Sequence, residues 1–246
     1  YDVLNRLSSV TGNSYDTESY FYSARNERIV VKKSLWGAQT QPDEVTFYGV
    51  DGMLLGVYRI EQHPNNYFGW LYPVRIDEKE RVYFSGRLIA VGSGASGTQR
   101  IVTDRLGSVV MKDTTPYRYY PYGQEIGGAT TNDRPKFGTY TRDSFSGLDY
   151  AMNRYYKNEW GRFTSPDPYQ ASGGVTDPGS WNRYSYTRGD PAGRFDPSGL
   201  YDEAPCGNTW IDDPSLSGPC GGDNGGRGRD QTRPWCVAKT SGPMSF

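Results

Sequence analysis

Apolar and polar positions alternate in short runs along most of this chain, and the runs are broken by turn residues. Tyr20-Phe21-Tyr22 followed by Arg28-Ile29-Val30-Val31-Lys32-Lys33 reads as strand, turn, strand. Tyr48 to Tyr58 repeats the pattern around Asp51-Gly52, where glycine supplies the positive φ of a tight primed hairpin turn. Val82 to Ile89 does so again, with a different turn at Ser85-Gly86. The YDxxxRL form of Tyr1 to Leu7 and a second Tyr-Asp at Tyr15-Asp16 mark the units as repeats. At roughly 20-residue spacing, such hairpins cannot bury a face alone and must stack side by side. The fold class is therefore all-β, a long spiralling sheet of stacked hairpins.

Composition agrees. Only 35% of residues are hydrophobic, yet 21 Tyr, 9 Phe and 6 Trp supply large apolar faces with polar tips. With 31 Gly and 16 Pro, long helices are not expected. Residues 92–99 (GSGASGTQ) read as one flexible joint. Hairpin signals resume at Asp104-Arg105-Leu106-Gly107-Ser108, where a turn with an Asp104–Arg105 ion pair is expected. Two hairpin arms are expected around Pro121 and Gly123, and a polar loop over 127–135.

Charge and cysteine narrow the function classes. A net charge of -1, from 27 basic and 28 acidic residues, leaves no electrostatic footprint for nucleic acid. No run approaches the roughly 20 apolar residues of a membrane span. Cys206, Cys220 and Cys236 all follow Leu200, so the body owes nothing to disulfides, and three thiols fit one bridge plus a free cysteine, or truncation of a longer segment. Their wide spacing and the remoteness of His63, the single histidine, argue against zinc. Ser108 and Ser146 lack a histidine base, and Gly92-Ser93-Gly94 lacks the Lys and helix of a phosphate loop. The carboxylates after Tyr201 form no EF-hand. No cofactor or metal is expected. The chain opens at Tyr1-Asp2 inside a repeat, which reads as a processed product or fragment.

Candidate chemistry sits at Gly161-Arg162-Phe163-Thr164-Ser165-Pro166-Asp167-Pro168 and Asp196-Pro197-Ser198-Gly199-Leu200. Each sets an aspartate before proline, and composition changes sharply after Leu200. As residues alone these are ordinary turn openers, since Asp177, Asp190 and Asp213 also precede proline.

The ordered motifs DRLGSV, YYPYGQE, SGLDYAMNRYY, GRFTSPDP, WNRYSYTRGDP and DPSGL closely resemble the RHS repeat-associated core domain over about 104–200, with YD repeats over 1–90. The resemblance implies YD-repeat-like hairpins at 1–91, a core domain at 100–200 ending in DPSGL, and a variable, weakly ordered segment at 201–246. It implies a β-sheet spiral closing into a hollow shell, plugged by the core, with the C-terminal segment inside. It also implies self-cleavage by Asp167 and Asp196, with Arg162 beside them and Leu200-Tyr201 as the scissile bond. Many members carry Asn-Pro where this chain has Asp190-Pro191, which makes Asp190 an extra candidate carboxylate.

The chemistry is sound in outline. Two adjacent carboxylates resist joint ionisation, which provides one acid and one base, while an arginine steadies charge and tethering replaces substrate binding. The expected function is a secreted or cell-surface shell component that releases its own C-terminal, toxin-like segment. Its partners are that segment or other shell or fibre subunits, with no nucleic acid and possible self-assembly. A second reading is a non-catalytic extracellular fibre, wall or adhesin built through sheet edges. A third is a carbohydrate-binding surface of exposed Tyr and Trp.

Overall fold

The computed structural model describes residues 1–12, 16–34, 43–62, 71–76, 79–93, 97–130, 132–168, 178, 181–200 and 202. The expectations for His63, Tyr201 and the three cysteines fall outside this set. Among the described residues there is no α-helix. The strands form three antiparallel meanders, so the chain is all-β with open sheets. The first is β1 (Ser9–Thr11), β2 (Thr17–Tyr22), β3 (Arg28–Ser34), β4 (Glu44–Tyr48), β5 (Leu54–Gln62) and β6 (Leu71–Arg75). The second is β7 (Glu80–Phe84), β8 (Arg87–Ser93), β9 (Gly97–Thr103), β10 (Val109–Lys112) and β11 (Thr115–Pro116). The third is β12 (Arg134–Pro135), β13 (Thr141–Arg142), β14 (Asp149–Ala151), β15 (Arg154–Lys157) and β16 (Arg162–Phe163).

The repeat has a definite backbone meaning. At 2–6, 23–27, 49–53, 104–108 and 120–124 the first residue's N–H donates to the fifth carbonyl, and the fourth N–H donates to the first carbonyl. The fourth residue takes positive φ: Asn5, Asn26, Gly52, Gly107 and Gly123. This position accepts only glycine or asparagine at low cost. Where the first residue is Asp2, Ser23 or Asp104, its side-chain oxygen also accepts two backbone N–H groups within the loop. The Asp51-Gly52 hairpin thus departs from the expected primed turn. Its loop is one residue longer, and only Gly52 turns left-handed. Ser85-Gly86, with both φ positive between paired Phe84 and Arg87, is the two-residue primed turn.

Two further expectations are corrected. Residues 92–93 and 97–99 of the expected joint belong to β8 and β9, which pair through Ser93 and Gly97, because GTQRIVT has the alternation to continue the sheet. Arg105 donates to the Ala192 carbonyl instead of pairing with Asp104, whose Oδ1 is taken by the loop N–H groups.

The third sheet is held against the first by a buried charge. Arg28 of β3 donates to Asp143 at 2.5 and 3.1 Å and to the Tyr155 hydroxyl at 2.7 Å. Its guanidinium lies 4.3 Å from the centre of the Tyr150 ring. Tyr20, Val31, Tyr150 and Tyr155 close an apolar cluster around it. A second cluster joins Phe137, Tyr140, Ala151, Tyr156, Phe163 and Tyr186 on the other side of the third sheet. Removing one member of a desolvated ion pair leaves the other buried and uncompensated. Asp143→Ala is therefore expected to cost about 3–5 kcal/mol in urea unfolding, and the double Arg28→Met/Asp143→Leu chain much less. Equal losses in both would contradict this account of the interface.

Candidate functional site

The site is assembled on β15. Successive side chains of a strand point to opposite faces, so Arg154 and Tyr156 share one side while Tyr155 takes the other. The Arg154 guanidinium lies over Phe163 of β16, 3.6 Å from the ring centre. Its Nη2 sits 3.3 Å from Asp196 Oδ2 and 3.9 Å from Asp167 Oδ2. All three side chains are at most 8% exposed. The two aspartates, 29 positions apart in sequence, thus meet around one guanidinium nitrogen.

The turns that carry them are tightly specified. Asp196 Oδ1 accepts the N–H of Gly199 at 2.7 Å and of Leu200 at 3.1 Å, so its carboxylate touches the backbone just before the Leu200-Tyr201 bond. The Asp196 carbonyl takes the Tyr140 hydroxyl, and the Gly199 carbonyl takes Arg154 Nε. Asn153, in the β14–β15 turn, grips the Ser198 carbonyl through its backbone N–H and its Nδ2. Gly199 is left-handed, with φ +72, and a Cβ there would stand 2.6 Å from the Ala151 carbonyl oxygen. Asp167 is fixed by its backbone: its N–H donates to the Arg183 carbonyl at 2.9 Å, and its carbonyl accepts from Arg183 Nη2.

Burial dominates the electrostatics. Desolvation pushes the Asp196 carboxyl up to about 7, although Arg154 and the loop N–H groups pull it down. The same desolvation lowers Arg154 from the usual arginine value against the pull of both carboxylates. Phe195, Pro197 and Ser198 also line a cleft of about 200 Å³ with Tyr140, Tyr150 and Met152.

Arg162 does not join this group. It is exposed on β16, where Lys157 is its strand partner, because neighbouring Phe163 points inward to Arg154. The guanidinium between the aspartates is Arg154. Asp190 is exposed too, its Oδ1 accepting the Gly193 N–H within its own loop. Sequence reasoning quoted Arg154 within SGLDYAMNRYY but gave it no role. The available signal was an arginine inside an aromatic strand run, where a charge needs a buried partner. Among the described residues, no cluster of His, Cys, Asp and Glu fits a metal.

Two outcomes follow from this geometry. Gly199→Ala forces a left-handed alanine against backbone, which is expected to cost roughly 1–3 kcal/mol or more in chemical unfolding. A variant as stable as the parent would show that the loop lies elsewhere. The raised Asp196 carboxyl makes the folded chain bind its proton more tightly than the unfolded chain does. Its stabilising contribution is full below the unfolded value near pH 4 and is lost as pH rises toward about 7. Against Asp196→Asn, the parent should therefore lose relative stability from about pH 4 to 7 and run parallel above that. Parallel urea curves throughout would exclude a buried, raised Asp196.

No family model matches the chain. It is 27% identical over 211 residues to the tRNA(Glu)-specific nuclease WapA of Bacillus subtilis subsp. natto, and 27% over 205 residues to the tRNA nuclease WapA of Bacillus subtilis strain 168. Each alignment covers 81% of this chain but 8% of the relative, so the chain spans only a small part of the length of these proteins. Among solved structures, a TcdB2-TccC3-Cdc42 crystal structure aligns at TM-score 0.55 with 20% identity, over 81% of this chain and 10% of that one. TcdB2-TccC3 without its hypervariable C-terminal region aligns at 0.56 and 21%, with the same coverage. The chain is thus similar to a short stretch of two WapA nucleases, and it shares its β architecture with part of TcdB2-TccC3.

Proposed function

We propose that this chain is part of a secreted RHS/YD-repeat shell protein whose core domain, residues 100–200, cuts itself once after Leu200 to free a toxin-like segment. The observation that carries this reading is the meeting of Asp167 and Asp196 around Arg154, with Asp196 bonded to the Leu200 N–H. The similarity to a short stretch of the much longer tRNA nucleases WapA supports the setting. Water adds to the Leu200 carbonyl carbon and passes a proton to Asp167. Asp196, which keeps its proton up to about pH 7, donates it to the Tyr201 nitrogen as the C–N bond breaks. The products are the Leu200 carboxyl and the Tyr201 amine. Arg154 holds the charge of the pair as its protons move. Tethering removes any need for substrate binding, so a single slow turnover suffices.

The non-catalytic wall or fibre is favoured by one observation. Phe21, Phe47, Phe84 and Val102 stand exposed on open sheets whose edges are unclosed among the described residues. That reading requires filaments by electron microscopy and an intact chain.

The deciding measurement is a denaturing gel and mass of the full chain carrying a C-terminal tag. Self-cleavage predicts a fragment ending at Leu200, slowed about 10²-fold or more by Asp167→Asn, Asp196→Asn or Arg154→Met, and unchanged by Arg162→Ala. Its rate should fall as pH rises through about 7, where Asp196 loses its proton. An uncut parent chain would overturn the reading.

A further inference from the structure

Asp202 lies two residues beyond the Leu200-Tyr201 bond, and its carboxylate is held by two arginines. Arg188 Nε stands 3.1 Å from Oδ1, and Arg194 Nη1 donates to Oδ2. The carboxylate is 12% exposed, against 48% and 24% for the arginines. Both arginines belong to the loop entering DPSGL, where Thr187–Gly189 forms a 3-10 turn and Arg194 N–H closes on the Asp190 carbonyl. On the other side of the bond, Leu200 N–H is fixed by Asp196. Leu200 and Asp202, the described residues flanking the peptide to be cut, are therefore both held by groups upstream of it.

We propose that Asp202, Arg188 and Arg194 form a clamp across the scissile bond, which positions it for cleavage and then retains the cut segment non-covalently. The proposal rests on self-cleavage after Leu200. A cut there leaves both arginines on the large fragment and Asp202 on the small one, so this contact outlives the covalent link. Restricting the segment to one geometry is the entropic part of intramolecular catalysis. The pairs are partly exposed, so salt must weaken them, with a screening length of about 3 Å at 1 M. Asp202 touches neither Asp167 nor Asp196 among the contacts described and is a positioning residue.

In the full chain, Asp202→Asn should slow cleavage about ten-fold, with Asp202→Glu restoring most of the rate. After cleavage, the segment from Tyr201 should elute with the large fragment at about 0.05 M NaCl and separate at about 1 M, whereas in Asp202→Asn it should separate at both. The triple Arg188→Glu/Arg194→Glu/Asp202→Arg should regain retention. Parent-like rate and retention in Asp202→Asn would overturn the clamp while leaving self-cleavage intact. A parent that never cuts removes the functional reading. The contact itself is then read in the intact Asp167→Asn chain, where hydrogen exchange over residues 196–202 should rise on adding Asp202→Asn. Unchanged exchange there would overturn the clamp as well.

Discussion

The structure turns on β15, a strand buried on both faces. In a strand whose neighbours face opposite ways, Arg154 and Tyr156 must enter one compartment and Tyr155 the other. Tyr155 closes the Arg28–Asp143 cluster that joins the third sheet to the first. Tyr156, 0% exposed, anchors the aromatic cluster with Phe163 and Tyr186 and donates to the Tyr122 carbonyl. Arg154 is carried into the same compartment and must be neutralised there. A register slip of one residue would exchange the two compartments and remove the guanidinium from the aspartates.

Two buried cations thus perform different tasks. Arg28 pairs with Asp143 and the Tyr155 hydroxyl and lies against the faces of three tyrosines, its buried Nε having no hydrogen-bond partner, and it joins sheets. Arg154 faces two carboxylates at longer range, 3.3 and 3.9 Å, and spends its Nε and Nη1 on the carbonyls of Gly199 and Arg183. It organises the backbone of both aspartate turns while leaving Asp196 incompletely compensated, so burial still raises that carboxyl. A group held above its ordinary value by a rigid shell, beside a backbone bond, is the arrangement that acid–base chemistry uses.

Much of the body was legible in sequence, because loops and strands obey local rules. The Tyr-Asp motifs and alternating runs expose the repeat, and Gly52 marks one of its left-handed positions; Asn5 and Asn26 take the same role only in the structure. What local rules missed was the loop length at Asp51-Gly52, which closes a loop one residue longer than the two-residue primed turn found at Ser85-Gly86. The GSGASGTQ joint misled for a related reason. Composition reports chain flexibility, but the pairing of Ser93 with Gly97 depends on a partner strand. Arg154 stands inside an aromatic strand run and Arg162 beside a single phenylalanine, but which of the two reaches the aspartates depends on which face of each strand is buried.

By itself, the sequence determined the all-β class, the hairpin repeat and the two Asp-Pro turns, because alternation, left-handed glycine and proline act within a few residues. Tertiary structure alone decided that Asp167 and Asp196 meet, that Arg154 and not Arg162 lies between them, and that Asp196 resists ionisation. Those facts come from desolvation and from distances across sheets, which depend on which faces are buried together. Neither quantity exists in the chain until β15 is packed on both sides.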